Sequence, residues 1–253
     1  MQSAVKRAIE TMWEHYCEPI SLSDLADAAI LSRFYFSRVF RDVTGTSPGR
    51  FLAAIRLYQA KRLLRDTTTS VTEISYYVGY NSPGTFTSRF TRSVGMSPTR
   101  YREYAQLGLA AVLPVPPGPD PRRGTVVGNV KAPAIGRLPH VYIGVFNSAV
   151  PEGLPVSCDV LEESGGRFGL NAVPDGVWYV RAAAVDLGCP AAPAAGRRLL
   201  VGASQPVVAR AGRIVETDLE LRETGVFDLP VLLALPDLDC RVERESAALV
   251  SVG

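Results

Sequence analysis

The first hundred residues contain one pattern twice. Shifted by 50 places, Phe36 falls on Phe86 and Phe40 on Phe90. Thr44-Gly45-Thr46-Ser47-Pro48 falls on Val94-Gly95-Met96-Ser97-Pro98, and Arg50-Phe51 on Arg100-Tyr101. With a shift one residue shorter, Leu25-Ala26 falls on Ile74-Ser75. Self-similarity of this kind marks a repeated supersecondary unit. Each copy reads as a short helix, a turn, a second helix with outward Ser, Thr and Arg, and a Gly-x-Ser-Pro closure. That order is the helix-turn-helix shape, whose second helix can enter a major groove.

The helices follow from spacing. Val5, Ala8, Ile9, Met12, Trp13 and Tyr16 share one face of a first helix. Ser21 and Asp24 make a capping-type start for a second helix, with Leu22, Leu25, Ala26 and Ala29 as its apolar face. Ser32 is expected to cap a third helix carrying Phe36, Val39 and Phe40 and closed at Gly45. Ser47-Pro48 opens a longer helix that stops near Asp66, with Pro at its first position.

A composition break follows. Residues 112–121 read Val-Leu-Pro-Val-Pro-Pro-Gly-Pro-Asp-Pro, with five prolines in ten. Such a run favours polyproline II and acts as a semi-rigid spacer. The expected organisation is a helical domain over 1–110, a Pro-rich linker over 111–123 and a different domain over 124–253. Charge divides the same way. Residues 1–110 hold 14 basic and 9 acidic groups, a net of +5, and the remainder hold 13 and 16, a net of −3. A cationic half suits a polyanionic partner. No stretch is long and apolar enough to span a membrane. Met1–Glu10 lacks the apolar core of a signal peptide, so a cytoplasmic location is expected. Cys17, Cys158, Cys189 and Cys240 form no C-x-x-C pair and no disulfide framework, and buried thiols are the expected reading of the last three.

Three stretches carry a family likeness: Ser23–Ala29, Phe34–Pro48 and Val78–Arg102. Residues 3–106 resemble the DNA-binding domain of the AraC/XylS family of bacterial transcription regulators. The resemblance implies an all-α tandem helix-turn-helix of homeodomain-like units bridged by one helix. It also implies two recognition helices in successive major-groove segments of double-stranded DNA, with RNA polymerase as a further expected partner. The first recognition helix is expected over Arg33–Val43. There Phe34, Ser37 and Arg38 match groove-facing positions. Arg38 is the best base reader, because a guanidinium can make two bonds to a guanine edge. Arg33 and Arg41 are expected on phosphates. The competing reading is that these arginines only solvate a helix.

The second recognition helix is expected over Pro83–Ser93. Thr85, Thr87 and Ser88 align with contact positions, Asn81 and Ser82 sit at the helix start, and Arg89 and Arg92 are expected on the DNA backbone. Two departures stand out. Pro83, Gly84 and Ser88 replace long polar side chains, so this unit is expected to anchor more than it reads. Ile30 occupies a turn position where the family usually has Gly, which implies a slightly different turn.

From residue 124 the pattern changes to short Val-, Tyr- and Thr-rich runs separated by turn signals. Strands are expected at Thr125–Val130, Val141–Phe146, Val156–Leu161, Arg167–Asn171, Trp178–Ala184, Leu199–Val201, Pro206–Arg210 and Ile214–Leu221. Their spacing predicts an all-β antiparallel sandwich. Residues 163–182, with Ser164-Gly165-Gly166 and Val173-Pro174-Asp175-Gly176 as turns, resemble the transthyretin-like, carboxypeptidase-regulatory-like sandwich, and Arg213–Leu221 resembles its closing strand. That likeness implies a fold more than an activity.

An enzyme is not expected. The two histidines, His15 and His140, have no nucleophile or carboxylate partner at a motif spacing. No phosphate-binding Gly loop and no metal-ligand spacing is present, and no cofactor is expected. Cys189-Pro190 does not match the Pro-Cys-His-Arg acceptor of methyl-transfer repair proteins, which sets aside a DNA-repair reading. The β domain has two open roles. It could sense a small-molecule or protein effector, with Tyr142, Trp178 and Tyr179 as candidate lining, or it could serve assembly alone.

Overall fold

The computed structural model describes residues 1–107, 118–133, 138, 140–162, 165–186, 198–235 and 238. Ser164, Cys189, Cys240 and the proline-dense core of the linker lie outside the described residues. The chain divides into two compact units. One holds Met1–Leu113 together with Pro151–Leu154 and Gly225–Asp239. The other holds Pro114–Val150, Pro155–Thr224 and Cys240–Gly253.

The first unit is helical: α1 (Gln2–Glu14), α2 (Leu22–Ala29), α3 (Arg33–Thr44), α4 (Pro48–Asp66), α5 (Val71–Tyr77), α6 (Pro83–Val94) and α7 (Pro98–Leu107). Local chemistry sets the helix starts. Ser21 with Asp24, and Ser70 with Glu73, form reciprocal capping boxes. Ser47 and Ser82 each accept the backbone N–H three residues on. Ser32 stands at the N-cap of α3, but its side chain makes no capping bond, contrary to expectation.

The apolar residues form two clusters. Val5, Ile9 and Met12 of α1 pack with Leu25, Phe36, Phe40, Phe51 and Ile55. Leu57, Ala60 and Leu64 pack with Ile74, Phe86, Phe90 and Tyr101. The nineteen-residue α4 contributes to both, so one helix bridges the two repeats.

The second unit carries β1 (Gly124–Lys131), β2 (His140–Phe146), β3 (Ser157–Glu162), β4 (Gly166–Val173), β5 (Gly176–Asp186), β6 (Arg198–Ala203), β7 (Val207–Ala209), β8 (Ile214–Glu216), β9 (Leu219–Glu220) and β10 (Arg222–Glu223). One sheet runs β4-β1-β8, with β9 also beside β1. The other runs β10-β6-β5-β2-β3, with β7 beside β5. A single apolar cluster draws Val126, Phe168 and Leu170 from the first sheet and Val141, Ile143, Val180 and Leu200 from the second.

Pairing is antiparallel except at β8 and β9, which run parallel to β1. The parallel segment approaches β1 closely. A Cβ on Gly128 would lie 1.8 Å from the Thr217 carbonyl oxygen, so only glycine fits there. Tyr142 is buried, and the Trp178 indole N–H donates to the Pro174 carbonyl at 2.7 Å.

Candidate nucleic-acid interface

Each helix-turn-helix pair buries one face of its second helix and leaves the other outward. On α3, Phe36, Val39 and Phe40 are buried. Arg33, Phe34, Arg38 and Arg41 are exposed, and Ser37 is half-buried beside them. Phe34 is 83% exposed, an unusual place for a large apolar ring. The Arg38 guanidinium lies 5.2 Å from the Tyr35 ring centre, within cation–π range, which limits where its side chain swings.

On α6, Phe86, Phe90 and Val94 are buried. Asn81, Ser82, Thr85, Ser88, Arg89 and Arg92 are exposed and Thr87 is half-buried. The Ser82 hydroxyl is engaged in capping, accepting the Thr85 N–H at 3.4 Å. All twelve candidate residues therefore lie on or at the start of the two second helices, off their buried faces. Burial pushes the Tyr80 phenol up, and the charges of Arg89 and Arg56 oppose that rise.

The turns explain how the two repeats reach one shape from different residues. In the first, Ile30 adopts φ 60°, ψ 46° and is 79% exposed. In the second, the corresponding residue is Gly79, at φ 84°. A left-handed conformation is strained for a β-branched residue. The expected change of turn at Ile30 does not occur: the left-handed turn persists and the side chain bears the strain. The closures also correspond. Gly45 and Gly95 both end their helices left-handed, and Ser47 and Ser97 accept the N–H of Arg50 and Arg100 at 3.4 and 3.3 Å.

Several arginines counted in the basic excess are engaged with backbone carbonyls of the same unit. Arg7 donates to the Ala28 and Ala29 carbonyls at the end of α2. Arg56 donates to the carbonyls of Tyr16 and Glu18, both at 2.7 Å, and burial pushes its pKa down. Arg102 donates to the carbonyls of Leu64 and Thr69. These groups tie down carbonyls at helix ends and in loops. Arg50 instead pairs with Glu152 at 2.5 Å, within the same unit.

Two features of this unit had no counterpart in the sequence reading. Lys61 is fully buried on α4, and its ammonium donates to the carbonyls of Val231 and Leu233. The segment after β10 packs on the helices through Phe227, Leu229, Leu232 and Ala234. The available signal was the apolar run Val231–Leu235, which lacks strand alternation.

Comparison with known proteins places this region. Residues 25–104 match the model of the helix-turn-helix domain family. Residues 25–104 are a helix-turn-helix domain. The AraC/XylS resemblance holds over the same region: the relatives are transcription regulators. One is an uncharacterized HTH-type transcriptional regulator, YdeC, of Bacillus subtilis, 34% identical over 99 residues that cover 39% of this chain and 34% of that protein. Another is the lactose operon transcription activator of Staphylococcus xylosus, 31% identical over 100 residues that cover 40% and 36%. The match thus spans about a third of the length of either relative. Among solved structures, the DNA-binding domain of AdpA in complex with a target DNA is 32% identical, covering 43% of this chain and 97% of that one, with a TM-score of 0.40. No helix among the described residues is long and apolar enough to cross a membrane.

Proposed function

We propose that this chain is a sequence-specific, DNA-binding transcription regulator. The observation that carries the reading is the pair of outward helix faces, α3 and α6, repeated with the same closures inside a helix-turn-helix domain. In this reading α3 is the principal reader. Arg38, steadied by Tyr35, makes two hydrogen bonds to a guanine edge. Phe34 lays its exposed ring on a thymine methyl, and Ser37 makes a shorter polar contact. Arg33 and Arg41 hold phosphates.

α6 anchors more than it reads. Thr85, Thr87 and Ser88 reach only a short way. Asn81 and the amides behind Ser82 face a phosphate at the helix start, and Arg89 and Arg92 add backbone contacts. The β unit is a sandwich of the transthyretin-like kind in this reading, supported by the apolar cluster common to its two sheets. It senses a small molecule or protein and modulates DNA or RNA polymerase contact in the cytoplasm.

Selection of genomic fragments by the purified full chain tests the proposal. A recurring motif is expected. Arg38→Ala should relax one position of that motif, a loss of about 1–3 kcal/mol of base discrimination. Arg41→Ala should weaken all sequences alike and flatten the salt dependence by about one contact. Recovery of no motif over competitor DNA at moderate salt overturns the reading.

A further inference from the structure

Lys61 sits where a helix of this kind calls for an apolar residue. It lies between Ala60 and Leu64 on the buried face of α4 and is itself 0% exposed. A buried ammonium is costly unless its hydrogens find acceptors. Its acceptors come from a segment far away in sequence. Nζ donates to the Leu233 carbonyl at 2.7 Å and the Val231 carbonyl at 3.3 Å, and lies 5.5 Å from the Tyr101 ring centre.

The need is mutual. Residues 225–235 form neither helix nor strand, so their buried carbonyls lack a regular ladder. Within the segment, local bonds run from Asp228 N–H to Gly225 O at 3.2 Å and from Leu235 N–H to Leu233 O at 2.8 Å.

The side chains of the segment divide between the repeats. Val226 and Phe227 pack on the cluster of the first repeat. Leu232 and Ala234 belong to the cluster of the second. Leu229 touches both. Without the segment, the repeats would be joined by α4 and by the turn after α1, where Tyr16 touches both clusters and the Tyr16 and Cys17 carbonyls approach Gly79. A helix resists stretching and a single turn contact leaves hinge freedom about it, whereas a further connection packed on both clusters restricts that freedom.

We propose that residues 225–235 form a strap, anchored by Lys61, that sets the position of one helix-turn-helix repeat relative to the other. It thereby fixes the spacing between the two DNA segments the chain reads. The spacing part rests on the DNA-binding reading above, and the strap itself does not. Lys61 and Leu229 are positioning residues in this scheme, because neither lies on the outward faces of α3 or α6.

The test uses the full chain with Lys61→Met and, separately, the milder Leu229→Ala. The first readout is binding to DNA libraries in which the two halves of the selected motif are separated by spacers of different length. Wild type is expected to favour one spacing. Both variants are expected to keep each half-motif but to narrow the penalty for neighbouring spacings by about tenfold, as effective concentration becomes less dependent on geometry. A role in stability alone would weaken all spacings equally, and that result overturns the proposal. The second readout is amide hydrogen exchange without DNA. Leu229→Ala should lower protection in both repeats together, and loss confined to one repeat overturns the strap. If wild type selects no DNA, the functional reading fails while the exchange experiment still decides the strap.

Discussion

Ile30 and Gly79 occupy corresponding turn positions and divide the cost of one backbone shape unequally. Ile30 is exposed and left-handed, so its side chain contributes strain and little packing. Ile30→Gly is expected to raise the melting temperature, with a gain of about 1 kcal/mol from relieved left-handed strain less the entropy glycine adds to the unfolded chain. Gly79 is the opposite case. A Cβ there would lie 2.9 Å from the carbonyl oxygens of both Tyr16 and Cys17. Gly79→Ala is therefore expected to lower stability by about 1–3 kcal/mol, through strain and overpacking together. Chemical denaturation of the two variants checks both signs. The position of Ile30 was legible in the sequence as a departure from the usual glycine. That the turn would keep its geometry was not, because tertiary packing of α2 against α3 outweighs the preference of one residue.

At the scale of the element, the helix starts respond to pH. Hydrogen bonds from Ser21 hold the Asp24 carboxyl below its ordinary value of 3.8. The Ser70 hydroxyl and backbone N–H do the same for Glu73, ordinarily 4.5. Folded values below unfolded ones mean that the stabilisation is fully present above those ordinary values. It is lost as pH falls through the lower folded values. His15 has the opposite sign: the Glu18 carboxylate accepts its hydrogen bond and raises its pKa above 6.5. That contribution is present below 6.5 and is lost as pH rises through the folded value. Acid titration of wild type against Asp24→Asn and Glu73→Gln, followed by helix signal, should show a smaller acid-induced loss in the variants. Among the strands, β1 depends on one small residue. Gly128→Ala should disrupt the parallel passage of the β8–β9 segment and cost about 3 kcal/mol, read as a loss in the β unit. Most strands were readable from alternation and turns, but Ile214–Leu221, expected as one strand, is divided into β8 and β9, and β10 was not foreseen. The parallel pairing was not readable, because the direction of pairing depends on how the chain returns, and local composition carries no record of that.

At the scale of the whole molecule, each unit has its own core. The β cluster centres on residues such as Phe168, and the helical clusters on Phe40 and Phe90. Calorimetry of the full chain is expected to resolve two transitions. Phe168→Ala should lower one and Phe90→Ala the other, each by about 3–5 kcal/mol of local stability. A single transition that shifts with either substitution would show that the two cores melt as one. The strap adds a condition: a fragment ending near residue 110 lacks the acceptors of Lys61 and part of both helical clusters.

The sequence by itself determined the tandem helix-turn-helix, its closures and the outward faces of α3 and α6. Those follow from helical spacing, caps and glycine ends within about fifty residues, where local physics dominates. It also determined that a β-rich region follows, because alternation and turn residues are local as well. Only the tertiary structure decided that arginines such as Arg7, Arg56 and Arg102 serve backbone carbonyls and that β8 and β9 run parallel to β1. It alone showed that a run near residue 230 completes a core built near residue 60. The partners in each case are far apart in the chain, and a buried ammonium and an irregular segment satisfy one another only after the fold has brought them together.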